Sequence, residues 1–253
     1  VIVCKSPAEI GKMRAANQLV ARILDELSLL VQPGVTTADL DAEADARVHA
    51  AGAQSAFKGY RGYPATLCAS VNDQVVHGIP NTRPLASGDI ISLDMGVKLN
   101  GYYGDSAVTV AVGSVSDEVR KLLRVTEEAL ERGIAQVRVG GRISDIGHAI
   151  QAHVEANGFS VVREFVGHGI GASLHEEPQI ANYGEANRGP RMAEGMTLAI
   201  EPMVNMGKPA VRVLSDGWTA VTRDGSLSAH FEHTVAVTKS GPDILTLRPV
   251  RVA

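Results

Sequence analysis

The chain has 253 residues, 45% of them hydrophobic and 21% charged, and a formal charge of -4 at pH 7. That length buries a sizeable core as one domain or two fused halves. The charge leaves no basic footprint, which excludes nucleic acid as the main partner, and no apolar run approaches the roughly 20 residues of a membrane span.

The opening Val1-Ile2-Val3-Cys4-Lys5 lacks the apolar stretch of a secretory signal, so a cytoplasmic protein is expected. Ser6 can cap a helix, Pro7 suits its first position and Glu9 completes a capping box. Apolar spacing carries this helix to about Val31, where Pro33-Gly34 breaks it. A second helix is predicted from about Ala38 to Ala51, closed by Gly52. Cys68 follows; with Cys4 it makes neither a disulfide framework nor a thiolate metal motif. Ile90 to Asp94 reads as a strand, and Asn100-Gly101 as the hairpin turn into a returning strand from Tyr102 to Val112. A two-residue turn there puts Leu99 opposite Tyr102 and Gly96 opposite Asp105, with Asp94 diagonal to Asp105 on one face. Two carboxylates on one face of an apolar hairpin repel each other unless a cation lies between them. Ser114 or Ser116 then opens a helix to about Val137, Gly140-Gly141 breaks it, and Ser144 caps a fourth helix ending at Gly158.

The second set of elements echoes the first. Gly34, Asp39, Val48 and Gly52 recur 106 residues later as Gly140, Asp145, Val154 and Gly158; Gly88 and Asp94 recur 107 later as Gly195 and Glu201. Val75 to Ile79 resembles Val166 to Ile170, which matches His77 to His168, and Asp105 to Val108 resembles Glu232 to Val235. Four blocks in one order predict two similar halves, about 1–113 and 114–253, within a single domain. On this matching Asp94 pairs with Glu201 and Asp105 with Glu232. Glu201 and Glu232 sit in apolar strands where an isolated carboxylate is costly, and carboxylates with imidazole suit paired divalent ions. His168 lies between glycines that let the backbone approach a ligand. His49, His148 and His153 fall on predicted helices and read as structural.

The strings Gly59-Tyr60, Gly62-Tyr63-Pro64, His77-Gly78-Ile79-Pro80, Leu93-Asp94-Met95-Gly96, Gly104-Asp105, Gly167-His168-Gly169-Ile170-Gly171, His175-Glu176-Glu177-Pro178, Glu201-Pro202 and Phe231-Glu232-His233-Thr234 resemble the type I methionine aminopeptidases, nearly end to end. The resemblance implies an α+β pita-bread fold: two pseudo-symmetric halves with a curved antiparallel sheet backed by helices. It implies a metal-dependent enzyme that removes the initiator methionine from nascent chains with a small second residue. Two divalent ions (Mn, Fe, Co, Zn or Ni) would be held by Asp94, Asp105, His168, Glu201 and Glu232, with Asp105 and Glu232 bridging. A water bridging the ions would attack the carbonyl, Glu201 would shuttle the proton, His175 would bond the substrate carbonyl or oxyanion, and His77 would help at the scissile nitrogen. Tyr60, Tyr63, Cys68, His77 and Trp218 would line the methionine pocket. A monovalent cation is expected near Asn72 and Ser228. Proximity to the ribosome and a monomeric state follow from the same likeness, and the lack of a long N-terminal extension points to a bacterial or organellar type. Three positions depart from the pattern: His230 where Gln is frequent, Leu174 where an aromatic is, and Phe57 where a small or thiol residue occurs. Proline-specific peptidases of the same fold are the nearest rivals, and a non-catalytic peptide-binding relative is a further alternative. The short stretch 176–200 between His175 and Glu201 has no room for the helical insertion of the type II enzymes.

Overall fold

The computed structural model describes residues 1–247, in which four helices back an arrangement of antiparallel strands. Helix α1 (Pro7–Leu30) starts as its sequence predicts: Ser6 Oγ accepts from the Glu9 N–H, and Glu9 accepts from the Ser6 N–H. Thr36 and Asp39 make the same reciprocal cap for α2 (Thr37–Ala50). Ser116, not Ser114, caps α3 (Asp117–Ile134). That helix stops short of Val137 because the Gln136 and Val137 N–H groups bond three residues back, tightening the last turn. In α4 (Ile143–Ala156) the cap is Arg142 rather than the expected Ser144. Asp145 accepts from the Arg142 N–H at 2.9 Å, while the Ser144 hydroxyl is drawn away to the Arg188 carbonyl. The apolar faces of all four helices meet the strands in one continuous core that includes Leu24, Leu40, Ile91, Leu122, Ile150 and Leu198.

The long hairpin has the predicted register. Strand Ile90–Leu99 returns as Tyr102–Ala111 through Asn100-Gly101, both at positive φ, with Leu99 opposite Tyr102 and Gly96 opposite Asp105. Cys68–Val71 pairs on the other side and sets Cys68 opposite Asp94. In the second half, Thr197–Ile200 pairs with His233–Thr238 and Met203–Asn205 with Ser228–His230. That ladder breaks where Pro202 offers no N–H. Glu232 sends its N–H instead to the Ala107 carbonyl of the first half, at 3.0 Å. The two acidic side chains of this half thus stand at the point where the strands leave their own ladder and join the other half.

The two halves are related by a pseudo-twofold arrangement, and the ladders give its register. α4 repeats α2 with a shift of 106 residues at both ends. Gln54–Ser55 pairs with Lys98 and Val97 as Ser160–Val161 pairs with Asn205 and Val204, which fixes a shift of 107 for the central strand. Asp94 and Glu201 are therefore counterparts, as the sequence suggests. The returning strands shift by 125, because Gly96 faces Asp105 while its counterpart Met203 faces His230. Asp105 thus corresponds to His230, and Glu232 to Ala107. Bonds across the seam repeat the same relation: Thr109 donates to the His230 carbonyl at 2.7 Å, and Thr234 to the Asp105 carbonyl at 2.8 Å. Matching Asp105 to Glu232 is off by two residues, a slip that keeps the strand face and so escapes detection in the sequence pattern. The match of His77 to His168 also fails. His168 lies opposite Ala199 as Ser70 lies opposite Ser92, so Ser70 is its counterpart. His77 stands just beyond the next strand, Gln74–Val76, at φ 60°.

Candidate metal centre and active-site cleft

Strands and several loops converge on a cleft of about 190 Å³. Its floor is Asp94, Asp105, His168, Glu201 and Glu232; its walls include Phe57, Tyr60, Tyr63, Cys68, His77, Leu174, His175 and Trp218. Every residue predicted for the metal centre and the methionine pocket is therefore in one cavity. Asn72 and Ser228 are not. They adjoin each other elsewhere, the Ser228 N–H donating to the Asn72 carbonyl at 2.9 Å, and the Asn72 side chain is engaged with Asp89 and the Ile90 N–H.

The backbone explains the convergence. Gly167 and Gly169 flank His168 where a Cβ would lie 2.3 Å from the Ala199 carbonyl and 2.2 Å from the Glu177 carbonyl, so only glycine lets this short strand sit tightly between its neighbours. The His168 ring donates from Nδ1 to the Gly169 carbonyl at 2.9 Å, which leaves Nε2 with its lone pair facing the acids. Nε2 lies 3.6 Å from Glu201 and 3.9 Å from Asp105. His175 sits on the loop above, its ring 4.3 Å from that of His168, and its Nδ1 is 2.8 Å from the Tyr60 hydroxyl. Tyr63 donates to the Leu67 and Gly78 carbonyls and packs edge-on against Trp218 at 5.2 Å.

Four carboxylates in one buried cleft repel each other. Burial raises Asp94 to about 7, with the Glu201 charge adding to it, and raises Glu201 to about 8. Burial and the neighbouring acids push Asp105 and Glu232 up as well. Burial holds His77 and His168 down at about 4 and lowers His175 and His230. Uncharged imidazoles among unpaired acids are what a cation site needs before its cation arrives. Asp94 Oδ1, Asp105 Oδ1 and Glu232 Oε1 are buried with no hydrogen-bond partner. Ligand atoms of Asp105, His168 and Glu232 lie within 4.8 Å of one another. The oxygen and imidazole donor set fits a divalent first-row ion.

The sequence profile of metallopeptidase family M24 matches residues 11–239. Methionine aminopeptidase 1 of Bacillus subtilis (strain 168) is 54% identical over 97% of this chain and 99% of its own length. The chain belongs to the methionine aminopeptidases of family M24. The solved methionine aminopeptidase of Rickettsia prowazekii superposes with a TM-score of 0.96 at 43% identity, covering 98% of this chain and all of that one. The prolidase of Pyrococcus horikoshii OT3 shares the fold at TM-score 0.79, but at 19% identity and over 65% of that chain. The fold is therefore the pita-bread fold of this family, and the protein is a metal-dependent hydrolase.

Against the family pattern, two features, one in the cleft and one beside it, escape a reading of the motifs. Arg61 lines the cleft beside Tyr60, at φ 49°, and its charge opposes protonation of His175. Lys5, nearly buried, pairs with Glu176 next to His175 and so ties the N-terminal segment to the loop that carries His175. The Gly-Tyr-Arg-Gly-Tyr string could have drawn attention to Arg61; nothing in the local sequence marks Lys5. His49, His148 and His153 lie on α2 and α4 and line no part of the cleft.

Proposed function

We propose that this protein removes the initiator methionine from chains whose second residue is small. The observation that carries the reading is the gathering of Asp94, Asp105, His168, Glu201 and Glu232 on the floor of one cleft whose wall is apolar and aromatic. Two divalent ions there, drawn from Mn, Fe, Co, Zn or Ni, would supply a water of lowered pKa and polarise the scissile carbonyl. The chain's own groups do the rest. Phe57, Tyr63, Cys68, His77 and Trp218 offer the soft, apolar surface that a thioether favours. If the Tyr60 hydroxyl donates to His175 Nδ1, the ring proton resides on Nε2, where it can bond the substrate carbonyl and the oxyanion that follows. His77, held neutral by burial, can serve the scissile nitrogen. Glu201, kept ionised beside the ions, would accept the water's proton and return it to the departing amine.

The same reading takes the chain as a single catalytic domain of two halves, about 1–113 and 114–253. It sets the protein to work in the cytoplasm, as a monomer, on nascent chains near the ribosome. No helix among the described residues is long and apolar enough to cross a membrane, which is compatible with that setting. A monovalent cation near Asn72 and Ser228 also belongs to the reading, supported by their adjacency.

Release of methionine from Met-Gly-Met-Met by the purified chain with Mn²⁺ or Co²⁺ is the test. Cleavage of an Xaa-Pro peptide instead would favour a proline-specific peptidase. Absence of turnover with any divalent ion would favour a peptide-binding role.

A further inference from the structure

His230 is the buried histidine to which the reading above gives no task. Its side chain is 1% exposed, and neither ring nitrogen has a hydrogen-bond partner. Nε2 lies 3.6 Å from Glu201 Oε2; on the other side of the same carboxylate, His168 Nε2 lies 3.6 Å from Oε1. Such a separation is too long for a hydrogen bond. It is close to the spacing of two donors on one first-row ion, which stand roughly 3–3.5 Å apart when each bond is about 2.0–2.2 Å. Glu201 thus has an imidazole 3.6 Å from each oxygen: His168, which lines the cleft and which the metallopeptidase reading already assigns to the metal, and His230, which is buried outside the cleft lining. The strand ladders supply an independent argument. Asp105, itself one of the five acid and histidine groups of the centre, has His230 as its counterpart in the second half. His230 stands toward Glu201 as Asp105 stands toward Asp94.

We propose that His230 is a sixth side-chain ligand of the metal centre, donating Nε2 to the ion that Glu201 binds, so that the centre holds two imidazoles rather than one. This rests on the metallopeptidase reading of the site. A neutral imidazole keeps one lone-pair nitrogen, and no other group in the structure uses it. An amide at this position would offer an oxygen of similar reach but not a nitrogen lone pair. The second imidazole shifts preference toward ions that take nitrogen readily, such as Co²⁺, Ni²⁺ and Zn²⁺, relative to Mn²⁺.

The experiment is done on the full chain, as wild type and as His230→Gln, each loaded with Co²⁺. X-ray absorption counts the imidazoles, the visible ligand-field bands report the coordination, and titration gives the Co²⁺ affinity. In the wild type two imidazoles per site are expected, falling to one in His230→Gln, with shifted bands and affinity weaker by about 10–100-fold. One imidazole in the wild type, with bands and affinity unchanged to within about twofold in the variant, overturns the proposal. A weaker affinity with one imidazole in both proteins overturns it too, and makes His230 a support for Glu201 rather than a ligand. Should His230→Gln fail to fold, the wild-type imidazole count decides alone. A wild-type chain that bound no Co²⁺ would sink the metallopeptidase reading itself, a result distinct from either.

Discussion

Glu201 stands between two histidines in a cleft that holds three other acids, and its proton is where structure and chemistry meet. In the metal-free protein the folded state keeps protons on Asp94 and Glu201 up to about 7 and about 8, against ordinary values of 3.8 and 4.5. The sign follows: this contribution to stability is fully present below the unfolded values near pH 4 and is lost as pH rises through 7 to 8. Melting of the chain in chelator should therefore fall from about pH 5 to pH 8.5. Saturating metal, which holds the acids ionised, should remove that slope. In Glu201→Gln the metal-free slope should flatten and the melting temperature at pH 8 should rise, while methionine release drops by about 10²–10⁴-fold. An active Glu201→Gln enzyme would refute its role as proton carrier. Tyr60 is a gentler case. Tyr60→Phe removes one hydrogen bond to His175, which corresponds to about 3- to 10-fold in kcat with KM little changed. Steady-state kinetics on Met-Gly-Met-Met would show whether the loss is in kcat, as a positioning role requires.

At the scale of elements, the helices hold the site by packing, and α1 also by a direct bond, since Asn17 Oδ1 accepts from the Asp105 N–H at 3.3 Å. α1 lies against the returning strand at Gly104, where a Cβ would come within 2.7 Å of the Ala16 and Asn17 backbone. Gly104→Ala must push the helix away from the strand that carries Asp105. A loss of about 1–3 kcal/mol is expected, read by denaturant unfolding, together with weaker metal binding. Stability within about 0.3 kcal/mol of wild type would mean that the helix can shift without strain. The cap of α1 was legible because a capping box is a local pattern of four residues; Thr36 and Asp39 make the same pattern for α2. The start of α4 was not, since Ser144 is claimed by Arg188 from a loop far along the chain.

The whole molecule is two halves sewn along a seam beside the metal centre. Ser106 donates to the Glu232 carbonyl, Thr109 to that of His230 and Thr234 to that of Asp105. The segments that carry Asp105 and Glu232 are thus the segments that join the halves. Thr234→Val keeps the shape and removes the donor to Asp105. A stability loss of about 1 kcal/mol and a measurable fall in metal affinity are expected, the first from thermal melting and the second from Co²⁺ titration. Loss of stability with affinity untouched would show that the seam and the centre are independent.

That Asp94, Asp105, Glu201 and Glu232 gather in one cleft could be read from the sequence because a carboxylate in an apolar strand is costly unless other groups are brought to it. Hairpin register could be read too, since Asn100-Gly101 fixes the turn and the turn fixes which residues face each other. The pairing of the halves could not. Strand side chains alternate with a period of two, so a slip of two residues leaves every face unchanged, and only the hydrogen-bonded ladders showed that Asp105 answers to His230 and not to Glu232. Whether a buried histidine finds a partner is likewise a matter of what the rest of the chain brings to it. For His230 that is Glu201, set beside it by the strand facing its own.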